Sequence, residues 1–433
     1  MAISQNRGLE VSKISKCGIC WAVPAVQKKR IYFGTLDTYF YCLDFDTGQK
    51  IWETKLDGMV ASSAVIKDGI IYFGCFDNNL YALNQQNGAI LWKHKTGGII
   101  ISSPAIHNGI IYFGSCDRNL YAVSLKTQKV LWKFRTGDEI IGDPLVHKDR
   151  IYFGSMDQYF YCISLEGNPL WRFRTGGSII IGKPDADAER VYFASCDQNI
   201  YAITLDGNFL WGFRTGENCF NKPLVHGGIL YCGSRDRYMY ALDAKNGQML
   251  RHFLTNMIFF TQPIATENKI YFASDKLCCF DIRKNKIVWA LDIGECGINL
   301  VTSAKLIDEK LIFFSRDTNI RCVDVDDGSI IWRARTNSSV QMPLSEVISS
   351  PKWDISLLDR ADKETQERII KQQEKFKNFE PYTFTDLFEG IHSLEKEDCP
   401  NNPYLLPDEG VFGMYRSGKE KKRYGGNMEK YGF

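Results

Sequence analysis

With 433 residues, 44% of them hydrophobic and 24% charged, the chain has the make-up of a globular protein able to bury a large core. A formal net charge of +2 supplies no overall attraction for nucleic acid or anionic lipid, and no apolar run is long enough to span a membrane. Fourteen cysteines, spread along a chain of this size and mostly inside β-patterned runs, read as reduced, buried thiols and not as a disulfide framework.

Residues 1–16 form a lead segment without the apolar centre of a signal peptide, so a cytoplasmic protein is expected. Within it, residues 9–14 could add an edge strand to the last repeat. From Cys17 a repeating unit begins. Its clearest copy, residues 99–136, has four parts. A leading run contains Ser102-Ser103-Pro104. An Ile/Tyr/Phe-rich run, 110–114, ends at Ser115-Cys116-Asp117. A third run holds Leu120-Tyr121-Ala122-Val123, and a fourth carries Trp132. Gly, Asn, Asp and Lys-Thr-Gln separate the runs, as expected for four short antiparallel strands joined by tight turns.

The aspartate recurs as Asp37, Asp77, Asp117, Asp157, Asp197, Asp236, Asp275 and Asp317, a period of about 40 residues that marks solenoids, propellers and arrays. The tryptophan recurs as Trp52, Trp92, Trp132, Trp171, Trp211, Trp289 and Trp332; the sixth unit lacks it and has His252 near that place. Tyrosine precedes a small residue in the third strand, as in Tyr41-Cys42, Tyr81-Ala82 and Tyr161-Cys162. A four-stranded sheet with two apolar faces cannot bury both alone, whereas eight such sheets packed radially cover one another. The expected fold is all-β: an eight-bladed β-propeller over residues 17–337, followed by an irregular, partly helical extension over 338–433.

The recurring pattern Ile-Tyr-Phe-Gly-Ser-x-Asp, Leu-Tyr-Ala, Leu-Trp-Lys-Phe-x-Thr-Gly resembles the repeat of PQQ-like propellers. That tryptophan-docked architecture is shared by quinoprotein dehydrogenases and by the bacterial lipoprotein that scaffolds outer-membrane protein assembly. For a dehydrogenase the resemblance implies PQQ and Ca2+ in the channel, an aspartate as base, and an adjacent-cysteine disulfide beside the cofactor. The vicinal pair Cys278-Cys279 would be that disulfide. Alignment of the repeats instead puts Cys279 at the small third-strand position and Cys278 at the tyrosine position, which reads as packing.

Beyond the repeats, prolines punctuate the extension and residues 356–379 read as a polar helix with a narrow apolar line, a kind of helix that usually needs a partner. The extension is rich in aromatic residues, which disordered tails usually lack. It either wraps its own propeller, stays flexible, or docks on another protein. For the docking arm, the candidate anchors are Phe376, Phe379, Tyr382, Phe384, Phe388, Phe412 and Tyr415. The basic cluster Lys419, Lys421, Lys422 and Arg423, partly offset by Glu420, reads as a solvated tail, and nucleic acid is not expected as a partner.

Among other candidate sites, Cys17-Gly18-Ile19-Cys20 lacks two further ligands at matching spacing, with Cys399 alone in the tail, so no metal is expected. His107, His147 and His226 fall at equivalent places and read as turn residues. Arg135, Arg174, Arg214 and Arg335, with Lys95 in register, are expected to bond the recurring aspartate or a turn carbonyl of a neighbouring blade. The repeats differ most at the dipeptide leading each first strand. Blades 2 and 3 have Ser62-Ser63 and Ser102-Ser103. Blades 4 to 7 have Gly142-Asp143, Gly182-Lys183, Asn221-Lys222 and Thr261-Gln262. These should face one mouth of the channel, where Asp143, Lys183, Asn221, Lys222 and Gln262 would bind a ligand, or where Asp143 would simply pair with Lys183.

Three functions compete: a non-catalytic scaffold or accessory subunit, a PQQ- and Ca2+-dependent oxidoreductase, and a small-molecule sensor. Uniform blades without long insertions favour the scaffold, with protein partners, no membrane and no cofactor.

Overall fold

A computed structural model of the chain describes residues 22–179, 182–219, 221–254, 261–273, 276–292, 304–314 and 319–335. The extension with its expected helix, residues 9–14, the Cys-x-x-Cys and Cys399 lie outside them, as do Asp275 and Asp317.

Eight four-stranded antiparallel sheets follow one another, each made of four strands consecutive in sequence. Blade 1 is built from Ala25–Gln27, Arg30–Gly34, Tyr39–Asp44 and Lys50–Lys55, and the other seven repeat it. First strands of neighbouring blades lie against one another around the centre, including those of blades 1 and 8, so the ring is closed. Burial follows from this radial order. The second and third strands are buried on both faces, which explains their near-continuous apolar runs, whereas the outermost strand alternates between exposed and half-buried residues. The core lies between blades: Tyr112, Leu120 and Ala122 of blade 3 pack with Ile151, Phe153 and Tyr161 of blade 4.

Two devices recur between neighbouring blades. In the first, the tryptophan's Nε1–H donates to a carbonyl of the following blade, as in Trp132 to Leu165 at 3.0 Å and Trp171 to Leu205 at 3.0 Å. The ring also lies on that blade's last turn: a Cβ on Gly207, whose φ is +91°, would sit 2.8 Å from the Trp171 ring. Small residues stand directly across the ladder from the tryptophan, as in Cys42 with Trp52, Ala122 with Trp132 and Cys279 with Trp289.

In blade 6 the register places Arg251, not His252, opposite Ala241 in the tryptophan position. The next blade's turn has Asn285 (φ +54°) where most others have glycine.

The second device is the aspartate. Asp157 accepts the Tyr161 hydroxyl at 2.7 Å, the Tyr159 N–H at 3.0 Å within its own turn, and the Gly137 N–H of the preceding blade at 2.8 Å. Asp197 and Asp236 repeat the set. Among the described residues the recurring cation makes no hydrogen bond or ion pair with the aspartate. Arg214 reaches Gln198 Oε1 at 3.0 Å, and Lys55, in the same register, reaches Thr38. Both acceptors are the residue after the aspartate in the same blade, so the expected ion pair to the aspartate is replaced by a bond within the blade. The tyrosine and the two N–H groups already take three of the carboxylate's roughly four acceptor sites.

Candidate functional site

The channel mouth and the outer circumference are the two surfaces where the repeats depart from a purely structural role. At the mouth, the leading dipeptides divide the work. Their first residue turns into its own sheet: Ser62 Oγ donates to the Gly74 carbonyl at 2.9 Å, and Thr261 donates to the Ala273 carbonyl at 2.7 Å. Their second residue links blades. Val23 N–H donates to Ser63 Oγ at 2.9 Å, Ser63 N–H to Ser103 Oγ at 2.9 Å, and Ser103 N–H to Asp143 Oδ1 at 2.7 Å.

Asp143 is buried, and its second oxygen is paired with the ammonium of Lys222, two blades on. This corrects the expected Asp143–Lys183 pair: Lys222 reaches past the intervening blade and takes the free carboxylate oxygen. Lys183 is half-buried and makes no hydrogen bond or ion pair among the described residues. Burial, the first cause, pulls its pKa below the ordinary lysine range. Asp143 acts against that, Lys222 with it, and Asp185 and Lys305 extend the same opposition. Asn221, 2% exposed, has neither amide atom paired among the described residues. Gln262 lies at the matching position of blade 7 and is engaged in contacts of its own. Asp185, in the first strand of blade 5, accepts the Val225 N–H at 2.8 Å; sequence reading missed it because its neighbours at that position are aliphatic. His107, His147 and His226 end first strands of separate blades.

The PQQ and calcium implied by a quinoprotein reading do not fit these residues. A calcium site needs free carboxylate oxygens, and both oxygens of Asp143 are occupied, one by an ammonium. Cys278 and Cys279 belong to different inter-blade clusters, because successive residues of a strand face opposite ways, and both are free thiols. Burial is the main force pushing the Cys279 thiol up to about 12.

Two family profiles match the repeats: the β-propeller of the β-alanine-activating enzyme over residues 16–227, and the outer membrane protein assembly factor BamB over residues 166–334. The repeats are of the PQQ-like β-propeller kind. No curated protein matches the chain. Among solved structures, BamB from Moraxella catarrhalis is similar at a TM-score of 0.59 and 14% identity, covering 68% of this chain and 94% of that one. The computationally designed Ika8 protein is similar at a TM-score of 0.62 and 16% identity, covering 70% and 95%. At these identities the likeness is one of fold.

On this PQQ-like propeller the outer circumference carries a second recurring feature. Ile51, Leu91, Leu131, Leu170, Leu210 and Leu250, at one position on the outermost strands of blades 1 to 6, are 41–52% exposed, with Ile90 beside Leu91 in blade 2. All but Leu250 directly precede a docking tryptophan. The signal was therefore in the sequence, one position before the most obvious residue of the repeat. Between these side chains the strands are basic. Ile90–Lys95, Val130–Arg135, Pro169–Arg174 and Phe209–Arg214 contain no Asp or Glu, and carry Lys93, Lys95, Lys133, Arg135, Arg172, Arg174 and Arg214. Several of the cations lie over tyrosine rings of the third strand, Lys133 4.7 Å from Tyr121 and Arg172 4.2 Å from Tyr159. Charges on an open strand also discourage pairing with another sheet. The candidate anchors Phe376, Phe379, Tyr382, Phe384, Phe388, Phe412 and Tyr415 lie outside the described residues.

Proposed function

We propose that this propeller is a non-catalytic scaffold or accessory subunit, acting in the cytoplasm and holding protein partners on its outer circumference. The observation that carries the reading is the belt of six exposed aliphatic side chains, repeated blade by blade and flanked by lysine and arginine. Exposed apolar residues are common singly. Here they recur at one position of six consecutive blades, beside a basic strip on a chain whose net charge is only +2. Apolar anchors ringed by cations suit a partner segment with apolar side chains and carboxylates, since apolar contacts supply affinity and opposite charge speeds encounter. The match of the BamB profile to residues 166–334 supports the reading, because BamB is an outer membrane protein assembly factor. Ten described cysteines are free, in keeping with a reducing compartment. The aromatic extension would add a second point of attachment.

Cross-linking in intact cells through lysine tests this. Cross-links from Lys93, Lys95 or Lys133 to one other protein, in stoichiometric yield, are expected. Cross-links confined to lysines outside the outermost strands would exclude the belt as the docking surface.

A further inference from the structure

The hydrogen-bonded girdle at the channel mouth is interrupted at one place. Through the first blades, each backbone N–H finds a side-chain oxygen of the next blade: Val23 finds Ser63, Ser63 finds Ser103, and Ser103 finds Asp143. Blades 5 and 6 bring Lys183 and Lys222 to the same position. An ammonium has donors and no acceptor, so the series cannot continue. The N–H groups of Asp143 and Lys183 have no acceptor among the described residues.

The Lys183 ammonium is equally unserved, because Asp143 has given one oxygen to Ser103 and the other to Lys222. The charges that act on Lys183, together with its own, are the amines of Lys183, Lys222 and Lys305 against the carboxylates of Asp143 and Asp185. Two backbone N–H groups and an ammonium without partners at one stretch of the girdle are uncommon and point to a missing water, ion or ligand.

We infer that a small oxyanion, a carboxylate or phosphate group, binds at this break in the girdle. Its oxygens take the role that Ser63, Ser103 and Asp143 play in the earlier blades, accepting the backbone N–H groups, while Lys183 supplies the countercharge. Backbone N–H groups from two adjacent blades beside an ammonium supply charge-assisted donors for an anion. The proposal is independent of the docking belt, which lies on the outermost strands.

Calorimetric titration of the 433-residue chain with sodium phosphate, and separately with sodium acetate, tests it. In low-salt buffer, saturable single-site binding of at least one of the two is expected, with a rise in thermal midpoint that an equal concentration of sodium chloride does not reproduce. Lys183→Ser restores a hydroxyl acceptor at the position held by Ser63 and Ser103. It should weaken binding at least tenfold without lowering the midpoint, while Lys183→Arg keeps it. Binding of phosphate alone assigns the site to phosphate groups, acetate alone to carboxylates, and both to either. Absence of saturable binding to the parent chain, or undiminished binding in Lys183→Ser, overturns the proposal. The parent titration decides the matter even if a variant fails to fold.

Discussion

The indole Nε1–H of Trp332 donates to the carbonyl oxygen of Phe45 at 3.0 Å, joining positions 287 residues apart in the chain. The Trp332 ring also covers Gly48, whose φ of +70° suits glycine and where a Cβ would come 2.6 Å from the indole. Around this contact, Phe33 and Phe314 meet with ring centroids 4.6 Å apart, and Lys310 reaches Asp46 at 3.4 Å. Blade 8 docks on blade 1 as Trp132, Trp171, Trp211 and Trp289 dock their blades on the next, so among the described residues closure uses no strand borrowed from the other end of the chain.

Removing the closing indole should therefore be costly. Trp332→Ala is expected to destabilise the ring by about 3–5 kcal/mol, the range for truncating a large buried aromatic. Gly48→Ala should also destabilise, since it combines a disfavoured φ with a clash against the ring. Thermal unfolding of both variants checks this. A midpoint within a degree of the parent for Trp332→Ala would show that the contact does not hold the ring shut.

The aspartate latch makes an unusual pH prediction. Burial, the leading cause, raises the Asp197 carboxyl above its ordinary 3.8, against the hydrogen bonds from Tyr201, Gly176 and Asn199. With the folded pKa above the unfolded one, the folded state holds the proton more tightly. This group's contribution is full below about pH 3.8 and is lost as pH rises through the folded value. Asp197→Asn lacks this term. Relative to the parent, the variant should lose more stability near pH 4 than at pH 7, measured by urea unfolding at both. A larger loss at pH 7 would reverse the sign.

The thiols opposite the docking tryptophans should be inert. Burial, foremost, pushes Cys42, Cys162, Cys279 and Cys322 up to about 12. Iodoacetamide at pH 8 should leave these four unmodified in the native chain and modify them in urea. Rapid native alkylation, or a Cys278–Cys279 disulfide in a non-reducing digest, would contradict the packing role.

The fold was legible because its devices are periodic. Aspartate, tyrosine and tryptophan each mark one strand per blade, and the two-sided burial of the middle strands writes itself as unbroken apolar runs. The Cys278-Cys279 pair could be read as packing for the same reason, since its positions align with Tyr and Ala elsewhere. What periodicity could not supply was partner choice. Asp143 pairs with Lys222 and not with adjacent-blade Lys183, a matter of side-chain reach across the channel. Arg214 bonds Gln198, while a tyrosine and two backbone N–H groups already engage the aspartate. The exposed Leu131, Leu170 and Leu210 were overlooked because, in sequence, a leucine before a tryptophan is indistinguishable from core; only the outermost position of its strand exposes it.

The docking belt is tested most directly by mild native co-purification, comparing the 433-residue chain with Leu131→Lys/Leu170→Lys/Leu210→Lys. Each of these side chains is 41–52% exposed, so each substitution should change stability by no more than about 0.5 kcal/mol. The account predicts one stoichiometric partner with the parent chain, visible in the native mass spectrum, and its loss from the triple variant at an unchanged thermal midpoint. A partner retained by the folded triple variant, or a parent chain that comes out alone with a quinone-like absorbance, would contradict it.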